Sequence, residues 1–196
     1  MDRTIGIVLF DGAEELDWAG PWEVLTAACK DGDRVITVAQ DLQPIRCAKG
    51  LRVLPDLTFD DAPPLDVVCR AGRHGHARRE MKNEAMTSYV GEQAKTAEWT
   101  TSVCTGSFVL YGAGLLDGKR ATTHWAAFDE LWSYAPGLEL DRDARWVVDG
   151  NVVTAAGVSA GINMVLWLVG HLYVMEHARA VQRYIQYDPA PPYQEQ

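Results

Sequence analysis

The sequence predicts an α/β fold, doubly wound, with a mostly parallel sheet and helices on both faces, and three observations carry that reading. Short, nearly continuous apolar runs recur at residues 4–10, 34–40, 65–69 and 99–103, as expected for central parallel strands covered on both sides. Helical patterns alternate with them, which is the order of elements in βαβ units. The run 99–103 stops at Cys104, and Thr105, Gly106 and Ser107 lead into an apolar helix over 108–113. This last junction is a tight strand-to-helix turn, a nucleophile elbow, at the carboxyl edge where such sheets hold ligands.

Composition narrows the class further. A chain of 196 residues with 47% hydrophobic content suits one domain, residues 1–196, with a sizeable core. We find no internal repeat and no linker that marks a second domain. A net charge of −9 argues against nucleic acid and against anionic membranes as partners, since both demand a positive surface. The cysteines (Cys29, Cys47, Cys69, Cys104) show no CxxC or Cys/His metal spacing, and residue 1 is not followed by a basic-then-apolar leader. The expectation is a cytoplasmic protein with reduced thiols. The most apolar stretch, 162–174, is shorter than the ~20 residues a bilayer requires and includes Asn163 and His171, so it reads as a buried helix.

Taken in order, the first strand over 4–10 ends at Asp11-Gly12 and a helix follows, with Pro21 suited to its first turn and Trp18, Trp22 and Leu25 at helical spacing. Residues 34–40 form a second strand, and 45–53 reads as a hairpin turning at Lys49-Gly50. After Pro63-Pro64 comes the strand 65–69, then a helix over about 83–97 and the Cys104 strand with its helix. A second hairpin joins 144–148 to 152–156 through Asp149-Gly150-Asn151, a strong turn signal. A long helix is expected over 159–175, capped by Ser159, with Gly157 and Gly161 allowing close packing near the nucleophile. A last helix spans 178–186, and the proline-rich tail from 189 lies extended.

The chemistry centres on Cys104. A lone cysteine on an apolar strand is usually a small core residue. Here the small polar Thr-Gly-Ser that follows leaves room for a substrate, and the free N–H groups and dipole of the new helix favour thiolate. Near it, the loop after the first strand offers Glu14, Glu15 and Asp17 as acids able to donate a proton or activate water, although acids at a helix start also simply complement its dipole. His124 reads either as a base or, preferably, as a supporting residue. His74 and His76 lie two apart without a third ligand nearby, so no metal is expected. Trp18, Phe108 and Trp125 are candidate walls of an apolar pocket.

The strings Thr101-Ser-Val-Cys104-Thr-Gly-Ser107, Gly114-Leu-Leu-Asp-Gly118 and Arg120-Ala-Thr-Thr-His124-Trp125 together resemble the isocyanide hydratases of the ThiJ/PfpI superfamily. So do Leu16-Asp17-Trp-Ala-Gly20-Pro21, Gly157-Val-Ser-Ala-Gly161-Ile162 and Tyr187-Asp-Pro-Ala-Pro-Pro192. The resemblance implies a flavodoxin-like, class I glutamine amidotransferase-like fold, and a lyase that hydrates an isocyanide, a small uncharged organic substrate, to an N-formamide. It implies Cys104 as nucleophile and, among the three acids, Asp17 as general acid/base. Thr105, Gly106 and Gly72 are then the oxyanion and substrate-positioning residues, with His124 and Ser159 supporting them from behind. No cofactor is implied, and a homodimer is. Protease-like relatives place a histidine after the cysteine, where this chain has Thr105, which counts against a peptidase.

The pattern breaks at two places. Where the family usually has a Pro-Gly-Gly-type turn, this chain reads Arg70-Ala-Gly72-Arg-His74-Gly-His76-Ala-Arg78-Arg79, a basic cluster in an acidic protein. It reads as an anion-binding loop, a solvated surface loop, or a shifted reading frame in the underlying gene. Asn163 stands where the hydratase-like motif commonly has Asp. Two other functions stay open: a ligand- or redox-sensing module, which without a following helix-turn-helix would need a separate partner, and a glyoxalase or deglycase.

Overall fold

Burial on both faces decides where the first strand sits: in β1 (Thr4–Val8) all but Thr4 are buried. The computed structural model of the chain describes residues 2–73 and 77–189. After β1 comes α1 (Glu15–Ala28), then β2 (Arg34–Ala39). The first hairpin forms as expected from β3 (Ile45–Arg46) and β4 (Arg52–Val53), antiparallel, with Gly50 at φ +103° in the turn. A short β5 (Leu57–Thr58) precedes β6 (Val67–Arg70), α2 (Ala77–Met81) and α3 (Glu84–Ala94). The Asn83 side chain caps α3 by accepting the Met86 N–H at 3.3 Å. Next are β7 (Trp99–Val103), α4 (Gly106–Gly112), β8 (Arg120–Ala121), α5 (Phe128–Tyr134) and β9 (Glu139–Leu140). The chain continues through β10 (Trp146–Asp149) and β11 (Val152–Ala155), the second expected hairpin, with Gly150 at φ +63° in its turn, to α6 (Ala160–Leu172) and α7 (Met175–Tyr184).

The main sheet has seven strands in the order β10-β11-β7-β6-β1-β2-β5. Every neighbouring pair is parallel except β10 with β11, so the doubly wound, mostly parallel reading holds. β7 lies between β6 and β11, with Arg70 opposite Ser102 and Ala155 opposite Val103. The carboxyl ends of all three strands therefore meet around Cys104. The largest core cluster, including Ile5, Ile7, Val68, Val103, Met164 and Leu168, fills the space between this sheet and its helices.

Two expectations about helices are corrected. Pro21 lies in the middle of α1, not its first turn. It removes the N–H that would reach the Asp17 carbonyl, and α1 tolerates this because its buried face, Pro21 included, packs on α6, where Gly161 leaves room for the ring. The helix expected over 159–175 stops at Leu172, and the last helix, expected over 178–186, already starts at Met175. Tyr173 leaves the helical conformation (φ −124°, ψ −99°) and Val174 is extended. Tertiary ties hold the break: the Tyr173 hydroxyl donates to Asp33 Oδ2 at 2.6 Å, and His177 Nε2 meets the Ala28 carbonyl at 2.8 Å.

Candidate active site

The turn after β7 holds Cys104 at φ +58°, a conformation that costs a residue with a Cβ about 1–3 kcal/mol and persists only where its surroundings over-determine it. Those surroundings are visible. The Cys104 N–H donates to the carbonyls of Ala155 (3.0 Å) and Ala156 (3.1 Å), and its own carbonyl accepts from Thr123 Oγ1 (3.1 Å) and Ser107 Oγ (3.3 Å). Ser107 also donates to Thr123 Oγ1 at 2.9 Å, closing a buried ring of hydroxyls beneath the turn. The residue is only 2% exposed.

Asp17, in the first turn of α1, is fully buried and interacts with the Cys104 thiol. Its Oδ2 accepts the Gly72 N–H at 3.1 Å. Burial pushes its carboxyl up to about 7, against the pull of the Gly72 N–H, the thiol and the Arg70 guanidinium. Of the acids offered by that loop, Glu14 and Glu15 turn instead to Lys49 of the hairpin. The thiol is driven the same way: burial first, then the Asp17 charge, hold Cys104 protonated well above the usual cysteine range, while the N–H groups of Thr105 and Val158 only partly offset this. The expectation of a resting thiolate is thus corrected, because burial of the sulfur, helped by the neighbouring acid, outweighs what the N–H groups of the turn offer.

The turn after β6 packs against this one backbone to backbone. A Cβ on Gly72 would lie 2.5 Å from the nitrogens of Thr105 and Gly106, and one on Gly106 would lie 2.5 Å from the Arg70 carbonyl. Gly72 spends its N–H on Asp17, so its contribution reaches the cysteine through that acid. The hydroxyl of Thr105 accepts the Arg73 N–H at 2.8 Å and caps no helix. Arg70 is 1% exposed. Its guanidinium stacks over Phe10 (4.1 Å), donates to the Ala71 carbonyl and shares the interior with buried Glu80. The start of the basic cluster is thus neither solvated nor open to an outside anion. His74 and His76 lie outside the described residues, as does the tail from residue 190. Among the described residues no group of three or more His, Cys, Asp or Glu is placed to hold a metal.

On the far side of Cys104 a cleft of about 360 Å³ is lined by Thr123, His124, Trp125, Arg145, Gly157 and Val158, among others. His124 Nδ1 accepts the Ala126 N–H at 3.3 Å, and its ring covers Gly157, where a Cβ would lie 2.5 Å from Cδ2. Val158 sits at φ +49°, a strained angle for a β-branched residue, and its backbone N–H favours the thiolate of Cys104. Ser159 caps no helix; its hydroxyl accepts from Arg145 Nη2 at 3.2 Å. Of the expected pocket walls, Trp18 and Phe108 are buried in core clusters and only Trp125, 78% exposed, borders the cleft. A larger cavity of about 710 Å³ lies elsewhere, between Phe10, Gln40, Ile45, Glu80 and Asn83; Cys104 lines neither, and the smaller cleft reaches it only through its contacts Thr123, Val158 and Ala156. Sequence reasoning missed Thr123, Val158 and Arg145; only Val158 carried a signal, as the residue between Gly157 and the start of α6.

Compared with known proteins, the chain matches the DJ-1/PfpI family over residues 3–170. It is 42% identical to an isonitrile hydratase of Pseudomonas putida over 193 residues, 98% of this chain and 82% of that one. It is also 42% identical over 176 residues to the HTH-type transcriptional regulator CdhR of Pseudomonas aeruginosa, a match covering 88% of this chain and 52% of the regulator, so the chain spans about half that protein's length. Among solved structures, a ThiJ/PfpI family protein from Pseudomonas syringae superposes with a TM-score of 0.90 at 31% identity, covering 98% of this chain and 78% of that one. Drosophila melanogaster DJ-1beta superposes with a TM-score of 0.83 at 21% identity over 96% of this chain and all (100%) of the other, a likeness of fold.

Proposed function

The chain belongs to the DJ-1/PfpI family, and from that premise we propose that it is an isocyanide hydratase, a lyase with Cys104 as nucleophile and Asp17 as general acid/base. The observation that carries this reading is the buried Asp17–Cys104 pair, with the acid raised to about 7 and the thiol held protonated beside it. Above pH 7 the two groups share a single proton. As the sulfur adds to the terminal carbon of an isocyanide, Asp17 takes the thiol proton and delivers it to that carbon, leaving a thioimidate on Cys104. Asp17, again a carboxylate, then takes a proton from water as the oxygen adds to the same carbon and passes that proton to the nitrogen. Collapse breaks the C–S bond, releases the N-formamide and moves the adduct's hydroxyl proton to sulfur through the same carboxylate. The N–H groups of Thr105 and Val158 lower the cost of negative charge on sulfur in the first and last steps, while Gly72 holds Asp17 in place. No step uses a metal or an organic cofactor.

The same reading makes the protein a cytoplasmic homodimer. Exposed Leu16 and Trp22 of α1, next to exposed Leu51 and Leu54 at the β3–β4 hairpin, supply an apolar face; the Lys49 N–H donates to Glu15 Oε1 (2.6 Å) and ties hairpin to helix. Among the described residues no helix is long and apolar enough to cross a membrane. A second reading, a ligand-sensing module without turnover, is favoured by the identity with the regulator CdhR. Formation of N-formamide from a simple aryl isocyanide, compared between wild type and Cys104→Ala, separates the two. Cys104-dependent turnover is expected; equal rates in both proteins would remove the cysteine mechanism, and no turnover by folded wild type would leave the sensor.

A further inference from the structure

The cleft beside Cys104 contains a cation held in place but not neutralised. Arg145 donates from Nε (3.2 Å) and Nη2 (2.6 Å) to Asn163 Oδ1, and from Nη2 to Ser159 Oγ (3.2 Å). Both acceptors are uncharged and sit at the start of α6, and Asn163 Oδ1 also accepts from the Tyr187 hydroxyl at 3.3 Å. Among the described residues no carboxylate lies within ion-pair distance of Arg145, and its Nη1 makes no hydrogen bond to any of them. The neighbouring Arg142, which lines the same cleft, is different: Asp129 neutralises it at 2.5 Å. A guanidinium fixed by three hydrogen bonds to neutral oxygens keeps its charge and its planar fork for a third party.

The position of the fork says what that party is. The cleft lining includes Thr123, which bonds the Cys104 carbonyl, and Val158, whose backbone N–H favours thiolate at Cys104. Ser159, which helps hold Arg145, is the next residue after Val158. We propose that the substrate carries a carboxylate or a like anionic group which Arg145 binds through its free Nη1 edge, with the reacting isocyano group directed toward Thr123 and Val158, the lining residues that contact Cys104; this rests on the hydratase reading above. The body of such a substrate lies against Trp125 and Phe128, the aromatic residues that also line this cleft. Asp143 lines the cleft as well, so selection comes from the aimed fork of Arg145 and not from a net positive field.

Turnover of 4-isocyanobenzoate and of its uncharged methyl ester by wild type gives the test. Wild type is expected to favour the carboxylate in kcat/KM by about tenfold or more, the scale of a charged hydrogen-bonded pair. Arg145→Gln should bring the ratio close to one. Asn163→Asp, which retains the arginine but gives it an internal carboxylate, should do the same. A wild-type ratio near one, or a ratio that neither variant moves, overturns the proposal while leaving hydration intact. Calorimetric binding of 4-formamidobenzoate to Cys104→Ala separates the two readings without turnover. Binding that weakens about tenfold on adding Asn163→Asp supports the anion site even if no isocyanide is hydrated, and binding that is absent or indifferent to that change rejects it.

Discussion

β6 and β7 run side by side and end against each other, yet their turns are built on opposite principles. The turn after β7 stores conformational strain: Cys104 sits at positive φ, pinned through its N–H and carbonyl by neutral hydrogen-bonding groups. The turn after β6 stores charge, since buried Arg70 sits over Phe10 with Glu80 and Asp17 as its acids. The first turn aims the nucleophile. The second tempers the proton affinity of its partner acid, which burial raises, because the Ala71–Gly72 peptide accepts from Arg70 at its carbonyl and donates to Asp17 at its N–H. Position and protonation at this site are thus controlled by different strands.

Removing the backbone contact between the turns should have the largest effect. In Gly72→Ala the new methyl would meet three backbone atoms, at 2.5, 2.5 and 2.8 Å, none of which can rotate away. We expect a loss of about 1–3 kcal/mol of stability and, through displacement of Asp17, at least roughly a hundredfold fall in kcat, read from chemical denaturation and initial rates. Normal kcat in Gly72→Ala would show that the two turns are not coupled.

Altering the charge while keeping the packing comes next. Arg70→Met removes a cation that pulls the Asp17 proton affinity down, so the ascending limb of kcat/KM should move to higher pH by about half to one unit. Arg70→Lys retains the charge and should restore much of that shift, whereas a purely structural role would leave the limb in place in both variants.

The smallest effect is on stability. A carboxyl whose folded value is raised contributes stability that is fully present below its ordinary 3.8 and is lost as pH rises through about 7. Asp17→Asn, whose amide oxygen still accepts the Gly72 N–H, escapes this loss. Its Tm should exceed that of wild type by a margin that grows between pH 5 and pH 8, and a margin independent of pH would contradict the burial assigned to Asp17.

Much of this arrangement was legible before any coordinates. The elbow announced itself because an apolar strand, a cysteine, small residues and an apolar helix follow in contiguous sequence, and both Asp-Gly and Lys-Gly turns produced their hairpins. Two-residue strands such as β5, β8 and β9 are too short to show a period of two, so they left no trace. The break at Tyr173 and Val174 depends on partners in α1 and at Asp33, far away in the chain. Asp17 was singled out by resemblance, since three acids in one loop look alike until folding buries one and turns the other two toward Lys49. Arg70 and Arg145 show the limit most clearly: as letters they are equal cations, and only folding places one among acids and leaves the other among neutral oxygens.

If Asp17 and Cys104 share one proton in the working state, the pH dependence of kcat/KM for N-formamide formation reports it. The rate should rise with pH through a midpoint near 7 as Asp17 ionises and then level off while the thiol stays protonated, with the limb abolished in Asp17→Asn. A rate that falls through that range, or a limb that survives in Asp17→Asn, would contradict it.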